Sequence, residues 1–391
     1  MSDFLYSSAQ TEEGVLSRYI RAIYHHDPPE AVYEYHGNWG SIAVSKSRYN
    51  GFQPLETNRH IFIVIGGPVL CFTDNRFLTG AVPEAGTRRI YDRYLSGEIS
   101  WTKDLSGPFA VLAVDKGRAA LSCITDLMMF IPAYRFTQNG TVMLGTHVDA
   151  LANAAGQAKN IDSASVVDFI INNVVTYPYT AYKNIRQCHP ASIYRYETSR
   201  GDCREKEHRI YWLPKENNPY ANIAEAARDL QGGLQDFVNR ATESMTHVAH
   251  FLSAGEDSRV ITGLLPKTLQ RDAFVFLDQM DREGHIARKI ANAYKADFYP
   301  AYRDDTHYLD ILPEATDLVG SGHQYKHAHS LKLHKKCRLD RYHAVFGGYL
   351  SDSFLKAYFA RRIPKKNIIS VPTFIQIILV VYKFAHFRFR N

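Results

Sequence analysis

His250-Phe251-Leu252-Ser253-Ala254-Gly255-Glu256-Asp257-Ser258-Arg259 decides the reading of this chain. The run 248–252 is short and mostly apolar, as a buried strand is, and Val260, Ile261, Leu264 and Leu265 then recur at helical spacing. Between them sit two hydroxyls, a glycine, an alanine and two carboxylates. Such a turn aims backbone N–H groups and the positive end of a helix at one spot, which suits an anion. Ser253 and Ser258 can donate to phosphate oxygens, and Asp257 can hold a magnesium ion against them. The plain alternative is an ordinary strand-turn-helix corner with Ser and Asp as caps. Spacing alone does not choose between the two.

Downstream, strands and helices alternate. Residues 273–277 read as a strand, 284–294 as an amphipathic helix, 297–302 as a strand, 309–319 as a helix and 343–346 as a strand ending at Gly347-Gly348. This order predicts an α/β three-layer domain: a parallel sheet covered on both faces, with ligand at the carboxyl ends of its strands.

Upstream the pattern changes. Residues 33–196 are strand-rich, with 40–44, 60–65, 69–72, 105–114 and 119–124 as strands and 88–95 and 166–172 as helices. Paired strands with helices between them predict an α+β domain of stacked sheets. Residues 199–221 are charged and turn-rich, with Gly201, Pro214, Asn217-Asn218 and Pro219, and read as a linker. A helix follows over 223–246, its apolar stripe interrupted by Gly232-Gly233. The expected domains are therefore 1–198 and 222–391.

Ser253-Ala254-Gly255-Glu256-Asp257-Ser258-Arg259 resembles the pyrophosphate loop of the asparagine synthetase family, Ser-Gly-Gly-x-Asp-Ser-Ser, with Ala254 and Arg259 departing. Alanine tolerates left-handed backbone less well than glycine; Gly255 keeps the second permissive position, and Arg259 can add a cation. Gly347-Gly348-Tyr349-Leu350-Ser351-Asp352-Ser353 is similar to the family's Gly-Glu-Gly-x-Asp-Glu loop, with Gly348 and Asp352 in register. Glu283, Ala287 and Ala291 resemble the family's acidic-x-x-x-Ala-x-x-x-Ala helix. The first half carries weaker likenesses, in order, at 105–110, 125–134 and 180–191.

The resemblance implies an Ntn-hydrolase-like αββα sandwich followed by an ATP-pyrophosphatase-type domain. It implies ATP and Mg2+, held by Ser253, Ala254, Gly255, Glu256, Asp257, Ser258, Gly347 and Gly348, with Asp257 and Asp352 on the metal. A helix cap is the other reading of Asp352. The activity implied is AMP-forming amide ligation between a small-molecule carboxylate and an amine, with asparagine from aspartate as the family's default. A specialised amide-, lactam- or peptide-bond-forming ligase and a non-catalytic remnant stay open.

Two departures bear on the chemistry. The family's glutaminases use an N-terminal cysteine thiol with the adjacent amine as base, whereas this chain begins Met1-Ser2-Asp3 and its first cysteine is Cys71. The glutamine-binding Asn-Gly-Glu turn is replaced by Gly66-Gly67-Pro68. A glutaminase-like domain without glutaminase activity is expected, similar to that of the β-lactam synthetase-like members, with Ser2 a weaker candidate nucleophile. The chain also ends at Asn391, 39 residues beyond Asp352, so the synthetase half is expected to be short. Lys335 or Lys336 could stand in for the family's lysine, but spacing supports neither.

Composition sets the remaining bounds. Hydrophobic residues at 45% and charged residues at 22% describe a folded globular protein. The net charge of +6 comes from the tail, where eight basic and no acidic residues follow Asp352; the rest carries 38 basic against 40 acidic side chains. No nucleic-acid footprint is expected from so neutral a body. Five scattered cysteines and an opening without an apolar core predict a cytoplasmic protein. The apolar run 368–381 is interrupted by Pro372 and Gln376 and is short of the roughly 20 residues that span a bilayer, so a peripheral or core helix is expected there.

Overall fold

Strands buried on both faces build the first half, and their alternation sets its layers. The computed structural model describes residues 2–72, 82–199, 201–214 and 220–348, apart from the side chain of His327. Strands β1 (Phe4–Ser7), β2 (Val32–Gly37), β3 (Gly40–Ser45), β4 (Leu55–Glu56), β5 (His60–Gly66), β6 (Val69–Leu70) and β7 (Leu105–Ser106) come first. They are followed by β8 (Phe109–Asp115), β9 (Ala120–Thr125), β10 (Tyr134–Gln138), β11 (Thr141–Gly145), β12 (Ile185–Gln187), β13 (Ser192–Ser199) and β14 (Asp202–Ile210). Helices α1 (Val15–Ile23), α2 (Ala85–Ser96), α3 (Val148–Ala154) and α4 (Ser163–Asn172) lie among them.

Two antiparallel six-stranded sheets result, ordered β12-β10-β11-β1-β3-β2 and β14-β13-β9-β8-β5-β4. Phe4, Tyr6, Ile42 and Val44 meet Ile61, Ile63, Ile65 and Leu112 between the sheets. On the opposite face of the first sheet, Leu5 and Ala43 pack with Leu16 and Ile20 of α1 and Leu151 of α3. On the outer face of the second, Phe62, Val64 and Val111 pack with Ile90 and Tyr91 of α2. Period-2 alternation in wholly apolar strands thus gives helix, sheet, sheet, helix.

The second half is parallel. Helix α5 (Ile223–Thr242) starts at Asn222, whose Oδ1 accepts from Glu225 N–H at 3.0 Å while Glu225 Oε2 accepts from Ala221 N–H, and it runs through Gly232-Gly233 unbroken. Then come β15 (His247–Phe251), α6 (Glu256–Leu264), β16 (Gln270–Leu277), α7 (Arg282–Ala293) and β17 (Asp297–Tyr302). Helices α8 (His307–Val319) and α9 (Leu333–Lys336) precede β18 (Val345–Phe346). The sheet order is β17-β16-β15-β18, all pairs parallel. Ala287 and Ala291 of α7 are fully buried against Ala273 and Val275, their small side chains letting the helix close on the sheet.

Two stretches differ from the sequence reading. Residues 199–221, read as a linker, hold β14, which pairs with β13 through a bulge near Arg195-Tyr196. Its sequence, Asp-Cys-Arg-Glu-Lys-Glu-His-Arg-Ile, is polar on both faces because it is an edge strand, where charge discourages further pairing. Contacts divide the described residues into two units: one within Met1–Trp212 and Thr306–Leu331, the other within Leu213–Asp305 and Lys332–Asn391. Residues 306–331, placed by sequence in the second domain, thus pack with the first unit; His147 Nε2 lies 2.7 Å from the Asp317 carbonyl oxygen and Leu318 joins the core under α1. Among the described residues no helix is long and apolar enough to cross a membrane, and the run 368–381 lies outside them.

Candidate nucleotide-binding site

In the parallel sheet, successive connections reverse direction between β15 and β18, and the loops after both strands leave from the same edge of the sheet. Open α/β sheets bind ligands at such a switch point. A buried carboxylate at the opposite end of the strands fixes β18 there. Asp272, 1% exposed, accepts from the Tyr342 hydroxyl and lies 3.2 Å from His247 Nε2 and 3.4 Å from the Arg341 guanidinium. The chain then pairs alongside β15, with Ala249 N–H donating to Ala344 O at 3.0 Å.

At the carboxyl end of β15, residues 253–258 form the turn expected. Ser253 N–H donates to Ser258 Oγ at 3.0 Å, the two hydroxyls share a 3.0 Å hydrogen bond, and Gly255 N–H donates to Ser253 Oγ at 3.1 Å. The serines, read from sequence as phosphate donors, therefore also frame their own loop. Helix α6 starts without a side-chain cap, because Gly255 occupies the N-cap. Gly255 has φ −71° and ψ 160°, extended backbone open to any residue, and Ala254 is not among the residues of positive φ. The expected need for left-handed freedom does not hold; a Cβ at Gly255 would stand 3.1 Å from Ser253 Oγ, a tight contact that would press on the hydroxyl framing the loop. Arg259 folds back, its Nε donating to Gly255 O at 3.3 Å.

Gly348 joins the two loops. A Cβ at Gly348 would lie 2.9 Å from Asp257 Cβ and 3.2 Å from Ser258 N, closer than packed atoms allow. Gly347 lies against Phe251, its own Cβ position 3.4 Å from that ring. The two glycines and the six loop residues Ser253, Ala254, Gly255, Glu256, Asp257 and Ser258 thus form one contiguous surface. Asp352, four residues beyond Gly348, lies outside the described residues. Lys336 donates to Tyr302 O at 2.8 Å, on the edge strand β17 and two strands from the loop.

Glu256 and Asp257 occupy the first turn of α6, where carboxylates stabilise the positive helix end but repel a phosphate. Directly behind the loop, His250 is wholly buried, and neither ring nitrogen has a hydrogen-bond partner among the described residues. Burial first, then the neighbouring Arg271 charge, pushes its pKa down to about 4, so the ring is neutral. Sequence reading took this histidine only as part of an apolar strand.

Cys123 and Cys188 are fully buried, and burial raises both pKa values, Cys188 to about 12. Cys71, at the end of the β6 hairpin, is part-buried, its Sγ 3.9 Å from Val69 O. Ser2 is 1% exposed, with no partner for its Oγ among the described residues. Beside it Asp3 is engaged, by Thr146 Oγ1 at 2.6 Å and by the Tyr24 hydroxyl. Gly66 has φ +91° and a Cβ there would meet Pro108 O at 2.3 Å, while the Tyr49 ring covers Gly67. Asp126, in the 125–134 stretch, accepts from the N–H groups of Met128, Phe130, Ile131 and Phe109 at 2.9–3.3 Å and braces that turn.

Residues 41–212 match the glutamine amidotransferase domain family. The match ends where the first segment of unit one ends, at Trp212, and so includes β14. No curated protein matches the chain. Among solved structures it is similar to an NH3-dependent NAD synthetase from Campylobacter jejuni in complex with the nitrate ion, at 14% identity, TM-score 0.25, over 34% of this chain and 60% of that one. The chain therefore spans 60% of that synthetase's length. It is also similar to the allosteric regulatory enzyme of purine biosynthesis, at 10% identity, TM-score 0.36, over 94% and 93% of the two chains. A glutamine phosphoribosylpyrophosphate amidotransferase from B. subtilis, complexed with ADP and GMP, is similar at 9% identity, TM-score 0.33, over 94% of each. At these TM-scores the likenesses carry no weight for the site.

Proposed function

We propose that the chain is an ATP-dependent, AMP-forming amide ligase of asparagine synthetase type, with the amidotransferase-like domain retained as a scaffold. One observation carries this reading: Gly348, at the end of β18, sits on Asp257 and Ser258 at the end of β15. Two loops far apart in sequence thus share one surface at the switch point of a parallel sheet.

In this reading the uncapped N-terminus of α6 and the loop hydroxyls hold the pyrophosphate of ATP. Asp257, with Asp352 beyond the described residues, would hold Mg2+, which when bound would offset the negative charge on the departing pyrophosphate. A substrate carboxylate attacks the α-phosphorus, giving an acyl-adenylate and pyrophosphate; an amine then takes the acyl group and AMP leaves. The chain's part is to orient both partners and stabilise charge. Asparagine from aspartate is the default product. The buried cysteines and the Gly66-Gly67-Pro68 turn favour free ammonia or a substrate amine as nitrogen donor, hence a specialised ligase as the close alternative.

The test is pyrophosphate and AMP release from Mg·ATP with L-aspartate and ammonium, then with a panel of carboxylates and amines. Asp257→Ala should lower release about 100-fold or more. ATP binding without release for any pair would favour a non-catalytic nucleotide-binding protein instead.

A further inference from the structure

Outside that surface, one cluster in the first unit has the chemistry of a metal site. His25 and His26 follow α1, and Asp317 lies in the last turn of α8, almost three hundred residues away. His25 Nδ1 stands 3.2 Å and His26 Nε2 3.6 Å from the same oxygen, Asp317 Oδ2. One donor atom from each residue lies within 4.8 Å of the others, and the two rings have centroids 3.7 Å apart, tilted by 42°. Around a tetrahedral zinc with bonds of about 2.0–2.2 Å, neighbouring donors stand roughly 3.3–3.6 Å apart. The two edges to Asp317, 3.2 and 3.6 Å, already lie within about 0.1 Å of that range.

We propose that His25, His26 and Asp317 form a three-ligand site for a zinc-class divalent ion, which fastens residues 306–331 onto the first unit. Two imidazoles and one carboxylate suit zinc, nickel or copper better than calcium or magnesium, which take all-oxygen sets. All three side chains are at least a third exposed, so the ion enters from solvent and water fills the fourth position. The mount is firm: the Asp317 carbonyl is held by His147, and Leu318 is packed beneath α1. The proposal is independent of the nucleotide site.

The experiment uses tag-free full-length chain, stripped with chelator and titrated with Co2+, whose visible absorption is strong only in tetrahedral sites. One ion per chain is expected, bound at least about tenfold more weakly after His26→Ala or Asp317→Ala and unchanged after His285→Ala. Zn2+ should slow amide exchange over 307–319 in the parent chain and not in Asp317→Ala. Absence of a tetrahedral spectrum, or affinity retained in both ligand variants, overturns the site. Binding that leaves exchange over 307–319 unchanged overturns the fastening role.

Discussion

His250 shows what a single side chain can cost. Its folded pKa of about 4 lies below the unfolded value near 6.5, so below pH 6.5 the unfolded chain takes up a proton that the folded chain refuses. Stability is complete above pH 6.5 and falls as pH drops towards 4, by about 3 kcal/mol in total. Denaturant titrations across that range should show the loss, and His250→Leu should flatten it; an unchanged slope in the variant would contradict the assignment. Asp126 is the opposite kind of group. Burial raises its pKa in spite of four N–H donors, and Asp126→Ala strands those donors, so a loss of about 3 kcal/mol or more is expected in a thermal or urea melt. Neither role was legible in the sequence. A histidine in an apolar run and an aspartate before a turn look ordinary until their burial is known. The strand-turn-helix corner around the serines and Asp257 was legible, because an apolar run gives way there to small polar residues and then to helical spacing, whereas the glycine was read for the wrong property.

At the scale of elements, what could be read from sequence was what had one strong period. β5 is a mostly apolar run bounded by turns and α7 carries Ala287 and Ala291 four residues apart; both lie within two residues of where the pattern put them, whereas the run 105–114 divides at Gly107-Pro108 into β7 and β8. β14 has no apolar face to reveal it, and its charges suited a linker equally well. β18 falls inside the run 343–346 read as a strand but is only two residues long, because its place depends on tertiary anchoring, which no local pattern records. Asp272→Ala removes the acceptor for Tyr342 and leaves Arg341 and His247 without their shared carboxylate. Amide exchange over 344–346 should accelerate strongly in that variant, and nucleotide binding should weaken although no loop residue has changed. Exchange rates matching the parent would show that the Asp272 cluster does not hold the strand. Gly348→Val tests the neighbouring contact: its side chain would collide with Asp257, and a loss of Mg·ATP binding with little change in melting temperature is expected.

For the molecule as a whole, the sequence separated a strand-rich half from an alternating half, because periods 2 and 3.6 divide cleanly near residue 222. It did not show that the chain leaves the second unit after Asp305 and rejoins it at Lys332. That excursion depends on where Asp317 meets His147 and Leu318 meets the core under α1, contacts between positions far apart in sequence. In the proposed function the 253–258 loop and Gly348 act together on a metal-bound nucleotide. Calorimetric titration of Mg·ATP into the parent chain and into Asp257→Ala tests this most directly. One saturable site is expected in the parent, with affinity lower by about 10- to 100-fold in the variant; no binding in the parent, or equal affinity in both, would contradict it.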